Sequence, residues 1–245
     1  MRLRSLLPEP GELETDELAR RLALGERAPA DRPYLIANMV SSVDGRATVE
    51  GRSGPMGGEP DRALFHALRA SVDAVMAGTG TIAVENYGRL VRDAGARARR
   101  EAAGLAADPL LVVASRSGRL PWDAPCFSAP EQRVAVWSGR PVKVPETAPG
   151  VEVEVVDDDV VATAVRGARV RHGVRSLLCE GGPVLLGALL DKGLVDELFL
   201  TVAPVLAGPG ERPIVDGESL RRHPALALEW LLESEGALFA RYRVL

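Results

Sequence analysis

Between Tyr34 and Leu206 the chain alternates short apolar runs with segments of helical spacing, and this alternation restricts its fold more than any other feature. Pro33–Val40 (PYLIANMV), Val72–Gly78, Pro109–Ser115, Arg133–Ser138, Ser176–Cys179 and Asp196–Leu206 are strand-length and apolar. Strands of that kind suit a parallel sheet, whose crossovers place helices over both faces. Pro60–Ala70 repeats apolar residues at Leu64, Ala67 and Leu68, with proline in the first turn. Val160–His172 follows three aspartates and ends in Arg169, Arg171 and His172, the charge order that a helix dipole favours. Val184–Leu190 has Pro183 at its start and Gly193 past its end. Val151–Val156 alternates charged and apolar residues, which suits an edge strand. The C-terminal tail reads as a hairpin turned at Glu235–Gly236.

The expectation is therefore a single α/β domain over residues 32–245, with a mainly parallel sheet and an antiparallel C-terminal edge strand. Residues 1–31 read as a loosely attached leader with one short helix near Glu14–Leu24.

In open parallel sheets, ligands bind beyond the carboxyl ends of the strands. Those ends read SSVDGR (Ser41–Arg46), GTGTIAVENYGR (Gly78–Arg89), SRSGR (Ser115–Arg119) and EGG (Glu180–Gly182). Gly181 and Gly182 let the main chain approach a bulky anion, and the helix after them offers unpaired N–H groups. Pyrophosphate suits such a place. Glu180 would repel it and should turn toward a substrate with hydrogen-bond donors. The rival reading is a tight turn with a solvated glutamate.

Gly78–Ala83 matches G-x-G-x-x-A, yet the first strand does not carry it and no ribose-binding acid ends the next strand. A Rossmann site is thus not expected. Arg116 at that strand end suits a 2′-phosphate, favouring NADP over NAD, or is simply a solvated strand end. Asp44–Gly45 alone is a turn dipeptide. Asp157–Asp159 reads as a helix start rather than a metal site. His66, His172 and His223 show no ligand spacing, and the arginines of Arg92–Arg100 read as a solvated helix face.

A net charge of -4 argues against a dedicated nucleic-acid surface. Two cysteines exclude a disulfide framework and a four-cysteine metal site, and point to the cytosol. No run has the apolar length of a membrane helix or a signal peptide.

Taken together, ANMVSSVDGR, AGTGTIAVENYGRLVR, VVASRSGRLP and LLCEGGPVLLGALLDKGLVDELFLTVAPVLAG resemble the pyrimidine reductase domain of riboflavin biosynthesis. The resemblance implies a three-layer, dihydrofolate-reductase-like α/β fold, an NADPH-dependent enzyme and a homodimer. It implies reduction of the ribosyl group of 5-amino-6-(5-phosphoribosylamino)uracil to a ribityl chain. By position it places Gly78, Thr79, Gly80 and Thr81 at the nicotinamide end and phosphates, Ser115 and Arg116 at the 2′-phosphate, and Gly181 and Gly182 at the pyrophosphate. Asp44 and Glu180 become the candidate catalytic pair, with Asn38, Ser53, Met56, Asn86 and Arg92 facing substrate. Three departures fall on the substrate side. Asn38 replaces a common lysine, ENYG (Glu85–Gly88) replaces an acid-rich proline turn, and SGPMGG (Ser53–Gly58) replaces the usual substrate loop. A pterin reductase and a non-catalytic NADPH sensor are the alternatives.

Overall fold

The apolar runs pair into one sheet. The computed structural model describes residues 1–218, 220–221 and 223–245. In chain order the elements are β1 (Arg2–Leu7), β2 (Gly11–Glu14), α1 (Thr15–Arg21), a 3-10 turn (Leu24–Arg27), β3 (Tyr34–Ser42), α2 (Glu59–Arg69), β4 (Ala74–Ala77) and α3 (Thr79–Val84). Then follow α4 (Ala94–Ala102), β5 (Leu110–Ser115), α5 (Pro125–Ser128), β6 (Val134–Ser138), β7 (Val151–Val155) and α6 (Val160–His172). The chain closes with β8 (Ser176–Cys179), α7 (Pro183–Asp191), β9 (Glu197–Ala203), β10 (Leu226–Ser234) and β11 (Ala237–Val244).

The sheet order is β2-β1-β10-β11-β9-β3-β8-β4-β5-β6-β7. From β9 through β7 neighbouring strands are parallel, and from β9 back to β2 they are antiparallel. The α/β sheet with parallel strands and an antiparallel flank is thus as expected, and β7 is the expected edge. Two corrections apply. The C-terminal hairpin β10–β11 lies inside the sheet, because β1 and β2 extend it further. Residues 1–31 are not a loose leader: Leu3, Leu18, Leu22 and Leu24 are buried in the core. The cause is backbone pairing. Strand β10 would otherwise leave a row of unpaired N–H and C=O groups, and β1 covers it.

Helices lie over both faces, giving three layers. Leu64 and Leu68 of α2 pack with Ile36, Val75 and Leu111 on one face. Val165 of α6 and Leu186 of α7 pack with Leu35, Met76 and Leu177 on the other. Asp159 caps α6 by accepting from the Val161 and Ala162 N–H groups, so the aspartate run is a helix start. Cys126 and Cys179 are buried, and burial pushes their thiols up to about 11 and about 12.

One carboxylate ties the N-terminal segment to the sheet. Glu197 in β9 is fully buried and accepts from Tyr34 Oη at 2.8 Å, Arg27 at 2.5 Å and Arg241 at 2.7 and 2.8 Å. Burial pulls its carboxyl upward, and the arginines and the tyrosine more than offset this, holding it below the ordinary range. Removing one partner of a buried ion pair leaves the others desolvated and unpaired. Glu197→Ala should therefore cost about 3–5 kcal/mol of unfolding free energy in a urea titration; a loss below about 1 kcal/mol would contradict this assignment.

Candidate active site

Strand β8 comes late in the chain but is inserted between β3 and β4. Its terminal turn, Glu180–Gly182, therefore sits in the middle of the carboxyl edge. The Glu180 N–H donates to Met76 O at 2.9 Å, and the Gly78 N–H donates to Gly181 O at 2.8 Å. These bonds stitch the β4–α3 and β8–α7 turns together. The doubled glycine has two separate causes. Gly181 adopts φ +82°, where a side chain is strained. At Gly182 a Cβ would lie 2.8 Å from Thr81 Oγ1. Gly78 and Gly182 are the N-caps of α3 and α7, and neither helix start receives a side-chain cap.

Part of a long cleft runs along this edge; the whole depression, about 2590 Å³, continues past α1 to Asp73 and Arg175 at the opposite edge of the sheet. Asn38, Ser53, Asn86, Arg92 and Glu180 line it, as do Gly78–Thr81, Ser115, Arg116 and Gly182. Most of the expected site residues are thus brought together. Asn86 sits at φ +48°, a left-handed position that asparagine tolerates. Arg92 and Arg116 are exposed and form no ion pair among the described residues.

Other expected residues sit differently. Glu180 is not free: Arg69 grips both of its oxygens, at 2.6 and 2.7 Å, and Tyr87 Oη donates at 2.5 Å. Burial opposes charge on Arg69, and Glu180 more than offsets this, so the guanidinium stays firmly protonated. Burial, then the Glu180 charge, holds the Tyr87 phenol well above its ordinary range. Asp44 does not line the cleft. Its carboxylate accepts from Ser42 Oγ and from the Ala207 and Gly208 N–H groups, pinning two loops and drawing its carboxyl down to about 2. Met56 is buried rather than facing the cleft. Gly181 lies behind the wall, with its carbonyl turned to Gly78. The Ser53 hydroxyl donates to Glu85, which also accepts the Ser53 N–H. The Ser115 hydroxyl donates to Arg119 O.

The arginine-rich helix face also needs correction. Arg100 is buried and donates to the carbonyls of Arg69, Val72 and Ala106. It closes the end of α2 that carries Arg69. Burial brings its guanidinium down to about 10.

Several cleft residues escaped the sequence reading. Arg140 follows β6 in SGR, the same strand-end pattern that marked Arg116. Asp61 and Arg69 sit on α2, where no glycine or loop signature marks them.

A sequence model of the RibD C-terminal domain matches residues 33–235. This chain belongs to that family. It is 34% identical to the 2,5-diamino-6-ribosylamino-4(3H)-pyrimidinone 5′-phosphate reductase of Archaeoglobus fulgidus, over 77% of this chain and 88% of the relative. The reductase of the same name from Methanothermobacter thermautotrophicus is 31% identical, over 77% and 86%. Among solved structures, a pyrimidine reductase-like protein from Corynebacterium diphtheriae superposes with TM-score 0.80 at 28% identity, covering 95% of this chain and 99% of that one. Membership makes this chain a reductase, and so an oxidoreductase, of riboflavin biosynthesis. No helix among the described residues is long and apolar enough to cross a membrane.

The Arg69–Glu180 pair should behave as a unit. Arg69→Met should cost about 3–5 kcal/mol in urea unfolding, because it strands a buried carboxylate. The double variant Arg69→Met/Glu180→Gln should recover part of that loss. Simple addition of the two single losses would contradict the coupling.

Proposed function

We propose that the chain is an NADPH-dependent reductase that converts the ribosyl group of a phosphoribosylamino-pyrimidine to a ribityl chain. One observation carries this reading. Two glycine-started helices and Arg116, exposed and without an ion pair among the described residues, meet on a single cleft at the carboxyl edge of a parallel sheet. Uncapped N–H groups and a helix dipole favour anionic oxygen, and Gly182 has no Cβ to hold a diphosphate away. Arg116, with Arg140 beside it at the next strand end, suits a 2′-phosphate. The residues present therefore fit the dinucleotide.

When bound, NADPH supplies the hydride. The chain's own work is to hold and align. The N–H groups of Gly182 and Val184 and those of Thr79–Thr81 grip the diphosphate, and Ser115 shapes the strand end that presents Arg116. Arg92, which forms no ion pair among the described residues, takes the substrate phosphate, with Ser53 and Asn86 also on the cleft wall. Asn38 stands at the carboxyl half of β3, on the face toward α2, where it can orient the reacting group.

Glu180 and Asp44 enter this reading as positioning residues rather than proton carriers. Glu180 fixes α2 and the Tyr87 loop against the glycine turn. Asp44 fixes the β3 turn against the loop at Ala207–Gly208. The cytosol remains the expected compartment for such a biosynthetic step. A homodimer belongs to the same reading, and a single-chain mass in sedimentation would remove it.

The reading is tested by loss of nicotinamide absorbance on adding the phosphoribosylamino-pyrimidine, with dihydrofolate as a second arm. Turnover of the first is expected. Turnover of dihydrofolate alone would transfer the chain to pterin chemistry, and tight NADPH binding with no turnover would make it a sensor. Arg116→Ala should weaken NADPH at least about tenfold and leave NADH nearly unchanged, since only the former carries the 2′-phosphate. Equal weakening of both would remove Arg116 from that role.

A further inference from the structure

The cofactor's diphosphate is doubly charged, yet only main-chain N–H groups have been assigned to it. Arg116 and Arg140 serve the 2′-phosphate, and Arg92 serves the substrate phosphate. Arg69 is consumed by Glu180. The segment after β9 brings a further cation to the same cleft.

Residues 207–217 form a strap across the first turn of α7. At one end Asp44 holds the Ala207 and Gly208 N–H groups. In the middle the Ala47 N–H donates to Arg212 O at 2.7 Å, and Glu211 accepts from Thr48 Oγ1 and the Gly51 N–H. At the other end the Asp216 N–H donates to Pro183 O at 3.2 Å. Gly187 makes room for this crossing, since a Cβ there would lie 2.6 Å from Asp216 O. Ile214 and Val215 pack against the core on the α6–α7 side. The main chain of the strap is therefore fixed against both α7 and the β3 turn.

The Arg212 side chain is not fixed in the same way. It is 64% exposed and lines the cleft together with Gly182 and Val184. Its ion-pair partner among the described residues is Asp216, with Nη1 3.6 Å from Oδ2, beyond hydrogen-bond reach. The other Asp216 oxygen accepts the Gly217 N–H at 2.7 Å. An exposed pair at such a distance holds a guanidinium weakly.

Resting on the NADPH reading, we propose that Arg212 is the side-chain cation of the diphosphate site, released by Asp216 when the dinucleotide enters. A guanidinium presents a planar fork of donors that matches two phosphoryl oxygens, and a diphosphate outcompetes one loosely held carboxylate for it. The exchange needs a side-chain rotation and no movement of the strap. Asp216 has the opposite effect on the cofactor. Its carboxylate keeps Arg212 on the cleft wall while the site is empty, and it repels the incoming anion. The two residues therefore set cofactor affinity in opposite directions.

The test measures Kd by calorimetry for the full chain with NADPH, and with 2′-AMP, which carries the 2′-phosphate but no diphosphate. Arg212→Ala should weaken NADPH by on the order of tenfold and leave 2′-AMP unchanged. Arg116→Ala, by contrast, should weaken both ligands. Asp216→Asn should tighten NADPH about threefold, because the competing charge is gone. A residue that merely stiffened the strap would not give opposite signs in the two variants. NADPH affinity that Arg212→Ala leaves unmoved, a matching loss for 2′-AMP, or a loss of NADPH affinity in Asp216→Asn overturns the inference while the cofactor reading stands. Wild type that takes up no NADPH removes the cofactor reading, and this inference goes with it.

Discussion

The buried ion pair between Glu180 and Arg69, completed by the Tyr87 hydroxyl, is the constraint on which the rest of the site depends. It joins three parts that are far apart in sequence: the end of β8, the end of α2 and the loop after α3. A charge pair taken out of water is a poor source of net stability, because desolvation offsets much of the attraction. Its value here is geometric. The carboxylate accepts a planar fork from one side and a phenol from another, which fixes where the glycine turn begins. Arg100 then seals the carbonyls at the end of α2, so the guanidinium is held by a helix that cannot fray.

That fixed point explains the composition of the turn. A glutamate next to two glycines looks contradictory if the turn binds an anion. The contradiction disappears once the glutamate's charge is consumed inward by Arg69. What the cleft meets is backbone: the N–H groups at the start of α7 and the close face of Gly182. The sheet order supplies the rest. Because β8 enters between β3 and β4, one edge of the sheet gathers the two glycine turns and the SGPMGG loop side by side.

Much of this was legible in the sequence, for physical reasons that can be named. The parallel strands were visible because burial on both faces demands continuous apolar runs, and α6 because acids and bases mark its two ends. The glycine turns and Arg116 were visible because ligands gather at strand ends. The N-terminal strands were not. RLRSLL and GELE are short and half polar, and they are strands only because β10 offers an edge to pair with. Glu180 was found but its partner was not, since Arg69 is one arginine among many until α2 packs beside β8. Asp44 marked a true turn, but its carboxylate serves the loops around it. Met56 faces inward, which no periodicity in SGPMGG could reveal. Asp61 carries no motif, and its setting exists only where α2, the Gly57 loop and β9 converge.

The central claim is that the main chain of the two glycine turns, backed by the inward-facing Glu180, is what receives the dinucleotide. A crystal structure of the protein with NADPH tests it most directly. The diphosphate should lie against the N–H groups of Thr79–Thr81 and of Gly182 and Val184, with the 2′-phosphate beside Arg116 and the Arg69–Glu180 pair undisturbed. A diphosphate bound elsewhere, or Glu180 swung out of its pair to contact a ligand, would contradict it.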